Sequence, residues 1–553
     1  MKVGNWIVTG LLVLTMTTAI NAQNLTNVPS ANPRVAGVAS PNILSPQLIE
    51  APVAQGSNKL ENTSTLTSYY GYDNDGTMLP AAGALPTATT KVEATKTEPD
   101  KNTYLVLRDQ DGADPTYNYG RHFLYQGHEL GSAGYITRIN LDADGAHRIT
   151  LMATTDTVGH ALPVFDGSVW YPFSKHLLFS AEGNAQTGGI WQSTSNYPAV
   201  VDDMATIFGR GGFEGMQADD HGNIVIVEDS SGATGSAGAG LSHAKRPNSY
   251  IYRFVPNSTS DLKLGGKMQV LQVASKAHSG PITWGTATTD DNIKTQDMKD
   301  LHTYGLSFTT KWVTIHDTSV NGFNVFDANG LARAAGGTPF KRPENGQFRP
   351  WSGFSEFFFS ETGDTSALTE AGSTYGGFGG VFRLKMSSGE AGSISVFYVS
   401  DVVHTGFDNC AFWTKDKIVF VEDAGDTLHG QRNALDSAYL FDVNADYSNS
   451  ANQPVRILAE GRDASATLDT TFAGMTGFQN EGDNEITGFH VSDGDPSVRG
   501  LIGSNRPTPF EDGWRVFYTQ QHGDNFTWEI LPKHRGGNDR DSDDDHDHDH
   551  DRD

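Results

Sequence analysis

Four stretches of the chain place acids at matching positions. Asp166 in FDGS is followed by Glu182 in LLFSAEG, and Glu214 in FEGM by Glu228 in IVIVEDSSG. Glu344 in RPENG is followed by Glu361 in FFFSETGD, and Asp408 in FDNC by Glu422 in IVFVEDAGD. The interval is 14 to 17 residues each time. Carboxylates that converge in space repel and raise one another's pKa unless cations neutralise them. A converging set would therefore hold hard cations through oxygen. Ca²⁺, with about six to eight oxygen ligands, suits such a set. The candidate ligands are Glu129, Glu182, Glu214, Asp229, Glu344, Asp408, Asn409, Asp423 and Glu485.

Arg342 stands two residues before Glu344 in KRPEN. On a strand, residues i and i+2 point the same way, so Arg342 would aim its guanidinium at the centre served by Glu344. A guanidinium beside bound cations can grip phosphate oxygens bidentately. Arg342 and Glu344 are therefore the candidate catalytic pair. Gly127-His128-Glu129 and Gln521-His522-Gly523-Asp524 offer further polar ligands. Cys410 lacks the His and Asn partners of a thiol nucleophile, and no GxSxG, HExxH, P-loop or Rossmann fingerprint occurs.

Only a repeated element can bring these acids together. Strand-turn-strand units carrying acids at equivalent places read as β-propeller blades, whose inner strand ends point at one central channel. The 61 glycines, and short β-rich runs split by Gly, Asn, Asp and Pro, agree with an all-β chain. The four acidic pairs mark four blades. LHTYGLSFTTKWVTIHDT suggests a fifth, and NEITGFHV with WRVFYTQQHGDN a sixth. The expected count is six, with five or seven left open. GYITRINLD reads as an edge-type strand. The long inserts 230–247 and 274–298 read as caps over one face.

The expected organisation has four parts. Residues 1–22 form a signal peptide for general secretion, without twin arginine. Residues 23–102 form an irregular, low-complexity arm or linker, and 103–532 the propeller. Residues 533–553 form a disordered Asp/His-rich tail. A net charge of −27 repels nucleic acid and anionic membranes and makes a poor lure for an anionic substrate unless bound cations reverse the potential locally. With Arg342 as the phosphate grip, small phosphorylated molecules are the expected partners of an exported monomer. A lone cysteine permits no internal disulfide.

In this order, NYGRHFLYQGHE, GYITRINLD, YPFSKHLLFSAEG, FGRGGFEG with IVIVED and SYIYRFVP, TPFKRPEN, FDNC with VFVEDAGD, NEITG and VFYTQQHGD resemble the PhoX-type alkaline phosphatases. These are secreted, metal-dependent phosphomonoesterases. The resemblance, over residues 118–525, implies a six-bladed propeller with calcium and ferric iron at its axial mouth. It puts metal ligands at Glu129, Glu182, Glu214, Glu344 and Asp423, and the phosphate contact at Arg342. One departure stands out. The family's iron-bridging cysteine lies in a Cys-Ala-Gly-Gly run, where this chain has Phe165-Asp166-Gly167-Ser168. A hard carboxylate in place of a soft thiolate favours several Ca²⁺ ions over Fe³⁺. The expected function is hydrolysis of phosphate monoesters. The alternatives are a calcium-stabilised binding propeller without catalysis and a calcium-dependent esterase or lactonase.

Overall fold

The computed structural model describes residues 25–533 apart from 77, 79–92, 184–185, 235–239, 243, 285–292, 388–390, 469 and 471–483. The expected signal peptide and all but the first residue of the expected tail lie outside the described residues. Strands dominate, and they assemble into six antiparallel meanders.

Blade one consists of Pro99–Val106, His122–His128, Ile136–Asn140 and Ile149–Ala153. Blade two consists of Ser168–Tyr171, His176–Ala181, Gly189–Ser193 and Val201–Asp203. Blade three contains Phe213–Ala218, Ile224–Glu228, Ile251–Pro256 and Gly266–Val273. Blade four contains Gly346–Phe348, Glu356–Glu361, Gly380–Met386 and Ala391–Val399. Blade five contains Phe407–Thr414, Lys417–Glu422, Ser437–Asp442 and Val455–Ala459. Blade six contains Glu485–Ser492, Arg515–Gln521 and Phe526–Pro532, and its outer strand is Leu48–Ala54 from the start of the chain. The first strands of the six blades touch their neighbours in a closed ring.

Period-two alternation builds this ring. In Ile224–Glu228, Ile224 and Ile226 pack towards blade two, while Val225 and Val227 pack towards blade four. In Lys417–Glu422, Ile418 and Phe420 face blade four, and Val419 and Val421 face blade six. Both faces of each second strand are covered, so these strands read as continuous apolar runs rather than alternating ones. Each of the six interfaces between blades carries its own apolar cluster.

Three expectations are corrected here. The boundary at residue 103 falls inside Pro99–Val106, and residues 23–102 are more than a linker. Besides Leu48–Ala54 they supply Ile43–Leu44, which pairs with the outer strand of blade five. The segment around WVTIHD is not a blade. Phe308–Asp317 pairs with Gly266–Val273 on one side and Ala391–Val399 on the other, joining the outer edges of blades three and four. Ile136–Asn140 is no edge strand but the buried third strand of blade one.

Because Leu48–Ala54 closes blade six, removing residues 1–54 exposes the edge of Phe526–Pro532. Thermal unfolding and light scattering should show a lower Tm and self-association. Leu48, buried at the interface of blades five and six, should cost about 2–4 kcal/mol when changed to Ala in denaturant unfolding.

Candidate metal centre

Each blade delivers side chains to the axis at two places. The first is at the start of its innermost strand: Asp100, Asp166, Glu214, Glu344, Asp408 and Glu485, preceded by Pro, Phe, Phe, Pro, Phe and Asn. In blades one, three and five the pairing slips just here, between Pro99 and Asn102, Phe213 and Met216, and Phe407 and Cys410. A bulge at that point turns the acid out of the ladder and onto the axis. Neighbouring first strands also approach closely. A Cβ on Gly167 would meet the Glu214 carbonyl oxygen at 2.5 Å, and one on Gly215 would meet Asn345 Oδ1 at 2.7 Å. Only glycine fits after the acid in these two blades.

The second place is at the end of each second strand: Glu129, Glu182, Asp229, Thr362, Asp423 and His522. Here the four acidic pairs mix two registers. Glu228, Glu361 and Glu422 stand one residue earlier than this ring and turn outward. Glu228 accepts from Tyr252 Oη (2.9 Å), the Tyr250 N–H (3.1 Å) and Asn329 Nδ2 (3.1 Å). Glu361 meets His302 Nε2 (3.0 Å) and the Lys341 N–H (2.8 Å), and Glu422 meets Arg432 Nη1 (2.9 Å). Those three are structural. The residues that follow them, Asp229, Thr362 and Asp423, occupy the ring, and Thr362 breaks its acidity in blade four.

The convergence is tight. Ligand-capable atoms of Glu182, Glu214, Asp229 and Glu344 lie within 4.8 Å of one another, as do those of Glu129, Asp166 and Glu182. Glu182 belongs to both groups. Asp408 and Glu485 complete the deep ring; Asp408 feels Asp100, Glu344 and Glu129, and Glu485 meets His522 Nε2 at 3.0 Å. Asp423 stands against Glu485. The eight acids among the nine expected ligands are therefore at the axis. Asp100, missed because the blade one loop stretches its interval to Glu129 to 29 residues, joins them. The Pro-acid signature shared by Pro99-Asp100 and Pro343-Glu344 is the signal that reveals it.

Arg342 reaches the centre by a route other than the expected strand. It lies in the loop before Gly346–Phe348 with φ +57°, a left-handed conformation that costs a non-glycine residue about 1–3 kcal/mol. That turn aims Nε and Nη2 at Asp229 Oδ2 (2.8 and 2.7 Å) and Nη2 at Glu344 Oε1 (3.2 Å). Lys101 reaches Asn345 Oδ1 from below, and Asn345 Nδ2 donates to Glu214 Oε1 (3.2 Å). Gln521 Nε2 holds Glu129 Oε2 (3.0 Å), and Asn409 Nδ2 holds Asp408 (2.9 Å). Cys410 points away, into the core between blades four and five, where burial pushes its thiol up to about 12.

The carboxylates outnumber these cations, and their acidity shows it. Burial first, then neighbouring acids, raises Asp166, Glu182, Glu214 and Asp408 well above the usual carboxylate range. Asp100 and Glu344 are pushed up to about 7. Burial first, then the charge of Glu485, raises Asp423 well above the usual carboxylate range, while Glu485, despite its own burial, is lowered to about 2 by His522. Oxygens Asp100 Oδ1, Asp166 Oδ1, Glu214 Oε2 and Asp229 Oδ1 are buried and no hydrogen-bond donor reaches them. Such orphaned anionic oxygens are costly unless a cation or a proton satisfies them. The two close acid groups offer only oxygen donors and could hold hard metal ions.

Acids whose folded pKa lies above the unfolded value bind more protons when folded, so their contribution to stability falls as pH rises between the two. For Asp100 and Glu344 that window runs from the ordinary 3.8 and 4.5 to about 7. Metal-free protein should therefore lose Tm steadily from about pH 4.5 to about pH 7.5. Saturating Ca²⁺ should flatten that profile in differential scanning calorimetry, with proton release on binding.

Residues 221–408 match the family model of alkaline phosphatase PhoX. That span takes in Asp229, Arg342, Glu344 and Asp408. The Pseudomonas fluorescens PhoX structure, in complex with the transition state analogue vanadate, superposes with a TM-score of 0.51 at 10% identity, covering 91% of this chain and 98% of that one. A putative 6-phosphogluconolactonase from Bacteroides fragilis is also similar, at 10% identity over 79% of this chain and 95% of that one, but its TM-score of 0.28 carries no argument. No curated protein matches the sequence. The chain is thus similar to the PhoX alkaline phosphatases, in sequence through residues 221–408 and in fold over nearly its whole length.

Proposed function

We propose that this protein is an exported PhoX-like phosphatase that hydrolyses phosphate monoesters at a calcium-rich metal cluster on the propeller axis. The observation that carries this reading is the pair of acid rings closing around a single guanidinium. Glu182, common to both close groups of acids, would bridge two neighbouring ions. Glu129 and Asp166 would complete one side, and Glu214, Asp229 and Glu344 the other. Asp100, Asp408, Asp423 and Glu485 extend the same oxygen surface. With Asp166 in place of the family thiolate, the set suits calcium better than iron.

Cations bound at such a site stabilise charge on the phosphoryl, attacking and leaving oxygens. The chain's own residues do the positioning. Asp229 and Glu344 fix the Arg342 guanidinium from one side, which leaves Nη1 to hold a phosphoryl oxygen. Asn345, Asn409 and Gln521 lock the orientation of Glu214, Asp408 and Glu129. The deep ring is buried, so water reaches the reacting group only from the mouth. Pre-aimed donors of this kind act where charge develops and need no reorganisation.

Small phosphorylated molecules are the substrates that fit an acidic, monomeric enzyme of this kind. Export is supported by the apolar leader sequence of residues 1–22. Among the described residues no helix is long and apolar enough to cross a membrane.

Elemental analysis should find several calcium ions per chain and iron far below stoichiometry. Exhaustive chelation should abolish turnover of a general phosphomonoester and added calcium should restore it. Arg342→Ala should lower kcat/KM about 10²–10³-fold with metal content unchanged. Full activity after chelation would sink the reading. A chelation-sensitive Tm without any turnover would instead indicate a calcium-stabilised binding propeller.

A further inference from the structure

Asp229 leads into a loop that comes back beside it at Ser249, just before the third strand of blade three. Its base is closed by the Ser230 N–H donating to Ser249 Oγ (2.8 Å) and by Asn248 Nδ2 donating to the Ser230 carbonyl (3.2 Å). Lys245 lies on the returning arm, bridged to Thr234. Its backbone N–H donates to Asp364 Oδ1 (3.0 Å), and Asp364 Oδ2 in turn accepts from Lys341 Nζ (2.9 Å). The two residues before Asp364 are tied to the arginine loop: the Thr362 N–H donates to the Arg342 carbonyl (2.9 Å) and the Gly363 N–H to that of Lys341 (3.3 Å). One short stretch thus fixes Lys245, Lys341 and Arg342 side by side.

The three cations differ in what they have left to bind. Lys341 is buried and neutralised by Asp364. Arg342 spends Nε and Nη2 on Asp229 and Glu344. The half-buried Lys245 ammonium makes no ion pair among the described residues, although it feels the charges of Arg342, Asp229, Asp364 and Glu344. An ammonium partly removed from water without a partner is costly unless an anion meets it. Lys245 and Arg342 are thus neighbouring positive charges beside Asp229 and Glu344, with Lys245 Nζ and Arg342 Nη1 in no ion pair among the described residues.

We propose that Lys245 contacts the second negative charge of a phosphate monoester dianion and so sets the preference for monoesters over diesters. This rests on the phosphatase reading above. A diester carries one charge, which Arg342 and the cluster can meet; a monoester carries two, and the second needs Lys245.

The test uses the metal-loaded full chain as wild type, Lys245→Met and Lys245→Arg. Three quantities are measured: Kd for inorganic phosphate by calorimetry, kcat/KM on p-nitrophenyl phosphate and on bis(p-nitrophenyl) phosphate, and metal content. Lys245→Met should weaken phosphate binding and monoester kcat/KM about 10- to 100-fold, as expected for one charge-assisted contact, with diester turnover and metal content nearly unchanged. Lys245→Arg should recover most of the loss. Unchanged phosphate affinity, an equal fall for both esters, or loss of metal in both variants would overturn the proposal while leaving the phosphatase reading standing. If wild type binds phosphate but turns over no monoester, that reading fails alone and the Kd comparison decides on Lys245. Wild type that binds no phosphate overturns both.

Discussion

The structure depends on one electrostatic constraint: the centre of the ring holds more negative charge than its own cations can balance. Two like charges about 4 Å apart repel by about 4 kcal/mol at the effective dielectric of a protein. Glu182, Glu214, Asp229 and Glu344 stand at about that separation. Arg342 offsets part of this repulsion and Lys101, through Asn345, relieves Glu214. The remainder must be met by protons or by metal. The apo protein therefore holds a centre that pushes its blades apart. What resists is the apolar packing at six interfaces and the closure of blade six by a strand from the opposite end of the chain. A propeller can carry such a centre because its restraint lies in the outer ring, far from the charges that oppose it.

Backbone geometry decides which acids bear the strain. Moving one residue along a strand end separates Glu228, whose Oε2 is held by two tyrosines and an asparagine, from Asp229, which faces the axis and meets the Arg342 guanidinium. The same step separates Glu422, paired with Arg432, from Asp423, which stands against Glu485 at the axis. Side chains alternate along a strand, so a register error of one residue exchanges a structural acid for a ligand.

This is also where the sequence was legible and where it was not. Runs such as IVIVE and KIVFVE announce strands covered on both faces, and acids beside them announce an axis, so the propeller and its metal-binding character are readable. The phase of each acid is not, because EDSSG and EDAGD present two neighbouring carboxylates and spacing alone cannot choose. Asp100 was hidden for a different reason. The loop between the first two strands of blade one breaks the interval that exposes the other blades. Leu48–Ala54 was hidden because its partner, Phe526–Pro532, lies more than four hundred residues away, and pairing at that distance leaves no local mark. Arg342 was placed correctly from an incorrect premise: a left-handed loop residue, not a strand, turns it towards Glu344.

Asp166 shows how such a centre can change its metal without changing its fold. It occupies the deep ring at the same phase as Asp100, Glu214, Glu344 and Asp408, with a Phe or Pro before each acid and, after Asp166, a glycine that the neighbouring strand requires. The position that carries the cysteine in the resembled family is thus an ordinary member of the ring. A thiolate there would add one soft ligand to a hard set; a carboxylate makes the set uniformly hard. Neither choice disturbs a blade, because the side chain projects into the channel rather than into an interface. The softness of the donor set thus turns on a single residue within a site whose geometry is fixed by the closure of the whole ring.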